Sequence, residues 1–403
     1  MKFNKPSQLF LVSIIGLTVA TLLTSCAYVT IDYVFVANSA GSGSGSSGQI
    51  QTFDADSQTG ALRFGAAAVS SGGNNPVAMA ATANYSHLYV VNQDSSNVVH
   101  FDIAGNGVLT QKDVVTTSAT PVSVAVNTAG TYLYVVSGPN PSVLTAYSLS
   151  SGAIGSIAAQ MPLTLPSFSS DTIVPTGVTV LANNGAVYVS AYDQSAYNPG
   201  GSTTSAANPG WVFGYTVGSG GALALSSKSP YKAGVKPSGI AADPTDRFVY
   251  VTDFASNQLI GYTIQSGSTL SFLINGPFKT GNEPNSITID PRGKYIYLSN
   301  GLDSSVSAYV IDLSTGTPSS AVNVSGSQTN STDTTPVAIL VDPALGRFVY
   351  TANNLGDSVS HRSQALGAGR RTARQPFHPD HQPVARTNLQ QTAQPQRLGF
   401  LLP

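Results

Sequence analysis

The chain of 403 residues balances 18 Lys+Arg against 19 Asp+Glu, has only 9% charged residues and contains one cysteine. Such a charge balance provides no field to attract nucleic acid or an anionic surface, and a lone cysteine cannot form an internal disulfide. The roughly 335 residues from Cys26 to Ser360 are too many for a small β-sandwich, and the 39 glycines suit a rigid all-β body.

The N-terminus comes first in the chain and speaks to compartment. Lys2 and Lys5 precede an apolar stretch, Leu9 to Leu23, that is short for a membrane span, and Leu23-Thr24-Ser25-Cys26 follows it. This resembles a bacterial lipoprotein signal occupying residues 1–25, with Cys26 as the lipidated first residue of the mature chain. The competing reading is an ordinary secretory signal with Cys26 near the cleavage point by chance. Under the first reading the protein is exported and held at a membrane through Cys26. Because Ala27 rather than Asp follows, enterobacterial sorting would place the anchor in the outer membrane.

From residue 33 onward one phrase recurs: an aromatic, then Val, Leu or Thr, any residue, and an Asn-like residue. It begins at Phe35, Tyr89, Tyr134, Tyr188, Tyr250, Tyr297 and Tyr350. Pro76, Pro121, Pro175, Pro237 and Pro284 lie 13 residues before their aromatic, and Pro336 lies 14 before. A period of 45 to 62 residues is that of a four-stranded propeller blade. Each repeat reads as an inner strand after the proline, a turn such as Asp290-Pro291-Arg292-Gly293, and a second strand carrying the aromatic. A third strand follows with its own aromatic (Phe53, Phe101, Tyr147, Tyr215, Tyr262, Tyr309), and then an outer strand. The expected fold is an all-β, seven-bladed β-propeller over residues 26–360.

Seven second strands but only six proline-led inner strands are present, so the C-terminus should return to complete the first blade and close the ring. The pattern instead stops near Ser360. Arg362 stands where Tyr309 predicts an aromatic, and residues 361–403 hold six of the ten arginines, three of the five histidines and one acidic residue, Asp380. This basic, Pro- and Gln-rich tail reads either as a natural disordered arm or as the product of a frameshift at about Ser360. The abrupt change within a strand and the 43-residue length favour the frameshift. The expectation is a disordered tail and a last blade and ring closure disrupted after residue 360.

The Tyr-Val-x-Asn strands, the lead-in Gly281-Asn282-Glu283-Pro284 and the turn Asp290-Pro291-Arg292-Gly293 resemble the lactonase-type seven-bladed propellers. That group includes 6-phosphogluconolactonase-like enzymes and non-enzymatic YVTN-repeat surface proteins. The resemblance implies a fold more than a function, because these residues build blades in catalytic and non-catalytic members alike. Catalytic relatives often carry Arg-His after the blade proline. Here the corresponding pairs are Val77-Ala78, Val122-Ser123, Thr176-Gly177, Ser238-Gly239, Asn285-Ser286 and Val337-Ala338, none of them basic.

Candidate site residues are therefore few. Glu283, the only glutamate, lies in a loop on the face where propellers usually bind ligands and is the one weak catalytic candidate. Asp94, Asp253, Asp303 and Asp357 recur in loops on the same face, where they either line the channel mouth or cap turns. His87 and His100 read as packing substitutes for the aromatic and small residues of other blades. A 27-residue expansion between Tyr188 and Tyr215 brings Tyr192, Tyr197 and Trp211 to that face, which suits a glycan or protein ligand as well as drift in a tolerant loop.

The composition and motifs point first to an exported, lipid-anchored binding or scaffold protein of the cell envelope, monomeric and without metal or cofactor. The alternative is a lactonase-like hydrolase of a sugar lactone.

Overall fold

The computed structural model describes residues 29–39, 47–165, 172–197, 209–321, 327–344, 346–363, 382–383 and 400–401. The signal segment and Cys26 lie outside them, as does most of the C-terminal tail. Seven antiparallel sheets form an all-β, seven-bladed propeller, interrupted among the described residues only by short 3-10 turns at Ser219–Gly221 and Ser266–Ser268. In a regular blade such as the fifth, Pro237–Ala242 is innermost, followed outward by Phe248–Asp253, Gln258–Gln265 and Thr269–Phe272.

The blade proline has a mechanical role. Proline cannot donate to the ladder, and in each proline-led blade the register of the inner strand slips beside it, as between Pro284 and Ser286 and between Pro336 and Ala338. A bulge of this kind re-aims the residues that follow. Here it turns the post-proline pair toward the axis. Space there is tight: a Cβ at Gly239 would lie 3.2 Å from both Ile287 Cγ2 and Thr252 Oγ1.

The recurring aromatic ties each blade to the next. Tyr89, Tyr134, Tyr188, Tyr250 and Tyr350 are fully buried between sheets. Their hydroxyls need partners there, and four of them donate forward to a main-chain carbonyl in the following blade: Tyr89 to Gly152 at 2.6 Å, Tyr188 to Ser268 at 2.9 Å, Tyr250 to Gly316 at 2.6 Å and Tyr350 to Gly60 at 3.0 Å. The third-strand tyrosines reach backward in the same manner, Tyr262 to the Lys232 carbonyl and Tyr309 to the Lys279 carbonyl, both at 2.5 Å.

At the C-terminus the structure departs from the sequence expectation in two ways. The third strand of the last blade runs on through Ser358–Ser363, because Arg362 substitutes for the missing tyrosine: its Nη2 donates to the Ser331 carbonyl at 2.6 Å, the counterpart of the Lys232 and Lys279 acceptors. Ring closure is also reduced rather than lost. Gln382–Pro383 pairs with Ser358 and Val359, while Phe400–Leu401 pairs with Val36 and Phe35 between the inner strands of blades two and seven. The edge of the first blade presents unpaired N–H and C=O groups that any extended segment can satisfy, whatever its side chains. The expected disorder of the tail concerns residues that otherwise lie outside those described.

Candidate functional site

The bulged inner strands of blades two to seven surround an axial cavity of about 250 Å³. Its walls are the post-proline residues, Val77-Ala78 through Val337-Ala338, in the positions the sequence singled out. Their polar side chains are directed into the ring itself. Ser123 Oγ accepts from the Val178 N–H at 3.3 Å, Thr176 pairs with Ser190 at 2.9 Å, Ser238 donates to the Pro284 carbonyl at 2.5 Å, and Asn285 Nδ2 donates to the Pro336 carbonyl at 3.0 Å. The bonds of Ser123, Ser238 and Asn285 link neighbouring inner strands around the axis, and that of Thr176 ties the inner strand of blade four to its own second strand. None of the described lining side chains is an acid or a base.

The loops joining second to third strands share one face with those joining each outer strand to the next inner strand, and the sequence-predicted acids fasten the two sets together. Asp94 Oδ1 accepts from Asn75 Nδ2 at 3.1 Å. Asp303 accepts from the Asn282 N–H at 2.6 Å and from its side-chain amide at 2.8 Å. Asp253 occupies the Asn position of the repeated phrase and is fully buried. It accepts from the Val235 and Lys236 N–H groups and from Gln258, each at 2.9 Å. A carboxylate holding three donors in that way organises a loop.

Glu283 is half-buried in the same ring of loops, with its N–H donated to Asn257 Oδ1 at 2.8 Å. Its φ of 55° is left-handed, as are Asn75 at 55° and Thr335 at 56°, the other residues found directly before a blade proline in that conformation. The blade, not a special task at Glu283, sets this backbone. Burial first, and then the charges of Asp253 and Glu283, raise the Tyr197 phenol above its ordinary value.

The expanded loop supplies the aromatic part of this face. Tyr192 and Tyr197 meet edge to face at 5.4 Å, and Lys236 Nζ lies 5.7, 5.1 and 4.9 Å from the rings of Tyr192, Tyr197 and Phe254. Trp211 stands on a neighbouring stretch with Lys232 Nζ 3.6 Å from its ring. Thus Tyr192, Tyr197, Asp253 and Glu283 come together, while Trp211 and Asp303 stand to either side and Asp94 lies apart in blade two.

One constellation was not anticipated from sequence. At the opposite rim of blade two, His87 Nδ1 lies 3.0 Å from Asp102 Oδ1 and 3.1 Å from His100 Nε2. Register could have revealed it: His87 pairs directly with Asp102 in the antiparallel ladder, and His100, two residues earlier, shares that face.

Comparison with known proteins agrees with this architecture. The family described as "Lactonase, 7-bladed beta-propeller" matches residues 36–165 and 105–366. Among solved structures, the periplasmic gluconolactonase of Pseudomonas aeruginosa aligns with a TM-score of 0.65 at 18% identity, over 84% of this chain and 94% of that one. A functionally unknown protein of Desulfotomaculum acetoxidans aligns with a TM-score of 0.63 at 15% identity, over 83% and 93%. No protein of curated function matches the sequence. At such identities the structural likeness speaks to fold alone.

Proposed function

Because the chain belongs to the lactonase family of seven-bladed β-propellers, its function turns on what this chain places at the axis and the mouth, and we propose that it is a binding or scaffold protein of the cell envelope. The carrying observation is the use made of the polar groups. Lactone hydrolysis needs a base to activate water and a donor or cation for the carbonyl oxygen. At the axis, Ser123, Thr176, Ser238 and Asn285 are engaged in strand-to-strand bonds, and at the mouth Asp253 and Asp303 are engaged by loop N–H groups. The aromatic face around Tyr192 and Tyr197 sets rings beside the Lys236 ammonium and the Glu283 carboxylate, which suits a glycan or a protein ligand. The N-terminal pattern ending at Cys26 supports export and lipid anchoring in a bacterial envelope, in the outer membrane if enterobacterial sorting applies.

A lactonase reading is the alternative, favoured by the fold shared with a periplasmic gluconolactonase and by the position of Glu283 on the loop face. Incubation of the mature protein with gluconolactone and 6-phosphogluconolactone separates the two. Ring opening at the uncatalysed rate is expected. Hydrolysis that Glu283→Gln abolishes would replace the binding reading with the enzymatic one. Cys26→Ser should move the protein from the membrane fraction to the soluble fraction, and retention in the membrane would refute the lipid anchor.

A further inference from the structure

We propose that His87, His100 and Asp102 form a binding site for a divalent first-row transition metal, Zn²⁺ in the first instance, on the rim of blade two away from the ligand face. Three donor atoms converge there. His87 Nδ1, His100 Nε2 and Asp102 Oδ1 are separated by 3.0, 3.1 and 3.4 Å. A tetrahedral zinc with bonds of about 2.0–2.1 Å sets its ligand atoms about 3.3 Å apart, so one ion fits over this triangle with little movement. Two imidazoles and a carboxylate are zinc-type donors, and the fourth position faces outward beside His87 and Asp102, whose side chains retain 19% and 40% of their exposure.

The surrounding groups are those a metal site needs. His100 is buried, with its Nδ1 3.0 Å from Asp113 Oδ2. Donation of the Nδ1 proton to that carboxylate leaves Nε2 as the lone-pair nitrogen aimed into the triangle, the carboxylate–histidine–metal arrangement. Asp113 is itself positioned by the Ile154 N–H of blade three at 3.3 Å. Lys112 Nζ holds the outer oxygen of Asp102 at 3.1 Å, which turns the inner oxygen toward the histidines. Tyr89 stacks on the His100 ring at 5.2 Å, and Gly152 is required opposite His87, since a Cβ there would come within 2.3 Å of its Nδ1.

Proton supply supports the same conclusion. With His100 Nδ1–H committed to Asp113, the single proton of a neutral His87 at Nδ1 has two acceptors, His100 Nε2 and Asp102 Oδ1. One cation in the triangle, with the His87 proton carried on Nε2 instead, satisfies all three lone pairs at once. The residues bracket the junction of blades two and three, so a bound ion would fasten one blade edge where Tyr89 already donates to Gly152.

The test is equilibrium dialysis of the full-length, chelator-stripped protein against Zn²⁺, with Co²⁺ substitution read by the visible absorption of tetrahedral cobalt. One equivalent is expected. Asp102→Asn, a half-exposed and conservative change, and His87→Ala should each weaken binding on the order of 100-fold or more, and Asp113→Asn about 10–100-fold. Circular dichroism of the metal-free variants should match wild type, and Zn²⁺ should raise the Tm of wild type but not of Asp102→Asn. His378→Ala combined with His381→Ala should leave binding intact. The proposal is overturned if the folded wild-type protein takes up no stoichiometric Zn²⁺, if Asp102→Asn binds as wild type does, or if removing the two tail histidines abolishes uptake.

Discussion

The junction of blades five and six and the junction of blades seven and one solve the same problem with different materials. At the first, Tyr250 donates forward to Gly316, Tyr309 donates backward to Lys279, and full-length inner strands lie side by side. At the second, the forward bond survives as Tyr350 to Gly60, across 290 residues of chain. The backward bond is lost because Phe53, which has no hydroxyl, stands at the third-strand position, and the inner strand of blade one is a dipeptide. What remains is side-chain packing: Val34, Val36, Phe53, Ala55 and Leu62 against Leu340, Phe348, Tyr350 and Val359. The lesson is that a propeller ring can be closed by its apolar seam where strand pairing is minimal.

The seam also carries a pair of facing acids, where the regular junction has one acid beside an arginine. At the regular junction, Asp243 is contacted by its own Arg247 and faces Gly293 of the next blade. At the seam, Asp342 meets Asp32, also an acid. Burial first, and then the hydrogen bond and charge of Asp342, push the Asp32 carboxyl up to about 8. Below that pH the folded protein favours the protonated Asp32 carboxyl beside Asp342.

Three measurements would break or sharpen this contrast. The largest effect is expected from Phe348→Ala, which empties the centre of the seam and should cost about 3–5 kcal/mol in denaturant unfolding. A cost below about 1 kcal/mol would show that packing does not hold the ring closed. Next comes pH. An unfolded Asp32 ionises near pH 4 and the folded one near 8, so between those values only the folded chain holds the proton, and stability falls as pH rises. Asp32→Asn keeps a donor toward Asp342 without the titration, so its advantage in Tm over wild type should widen from about pH 5 to about pH 8.5. A constant difference would remove the Asp32 proton from the account. The smallest effect belongs to Arg362→Ala, which loses one exposed bond to Ser331 and should cost roughly 0.5–1.5 kcal/mol. A cost of several kcal/mol would make Arg362 a principal anchor of the last blade.

The blades were legible because their demands are local: an aromatic that must be buried, a proline that forces a bulge, an Asn-like residue that fastens a turn. The limit of the last blade was misplaced by a few residues because pattern looks for an aromatic, whereas the structure needs only a donor that reaches Ser331, and Arg362 provides it. The closing dipeptide escaped notice because backbone pairing leaves little mark on side-chain identity. Asp94, Asp253 and Asp303 recur at loop positions that the repeat makes visible, but only the fold shows which donors they hold. The His87, His100 and Asp102 triangle lies across a hairpin, where neighbours are set by ladder register and stand 13 to 15 residues apart in sequence.

The tyrosine bonds between blades all end on peptide carbonyls, and that has a consequence for descent. A carbonyl is supplied by every residue, but the turn that presents it here needs a left-handed backbone at the acceptor, so the receiving turn is constrained as well as the donor. Gly152, Gly316 and Gly60 leave no room for a Cβ, which would come within 2.4 Å of His87, Phe248 and Phe348, and Ser268 shares their positive φ. A lineage built this way can rewrite most of its surface only while these turns keep a backbone that accepts positive φ.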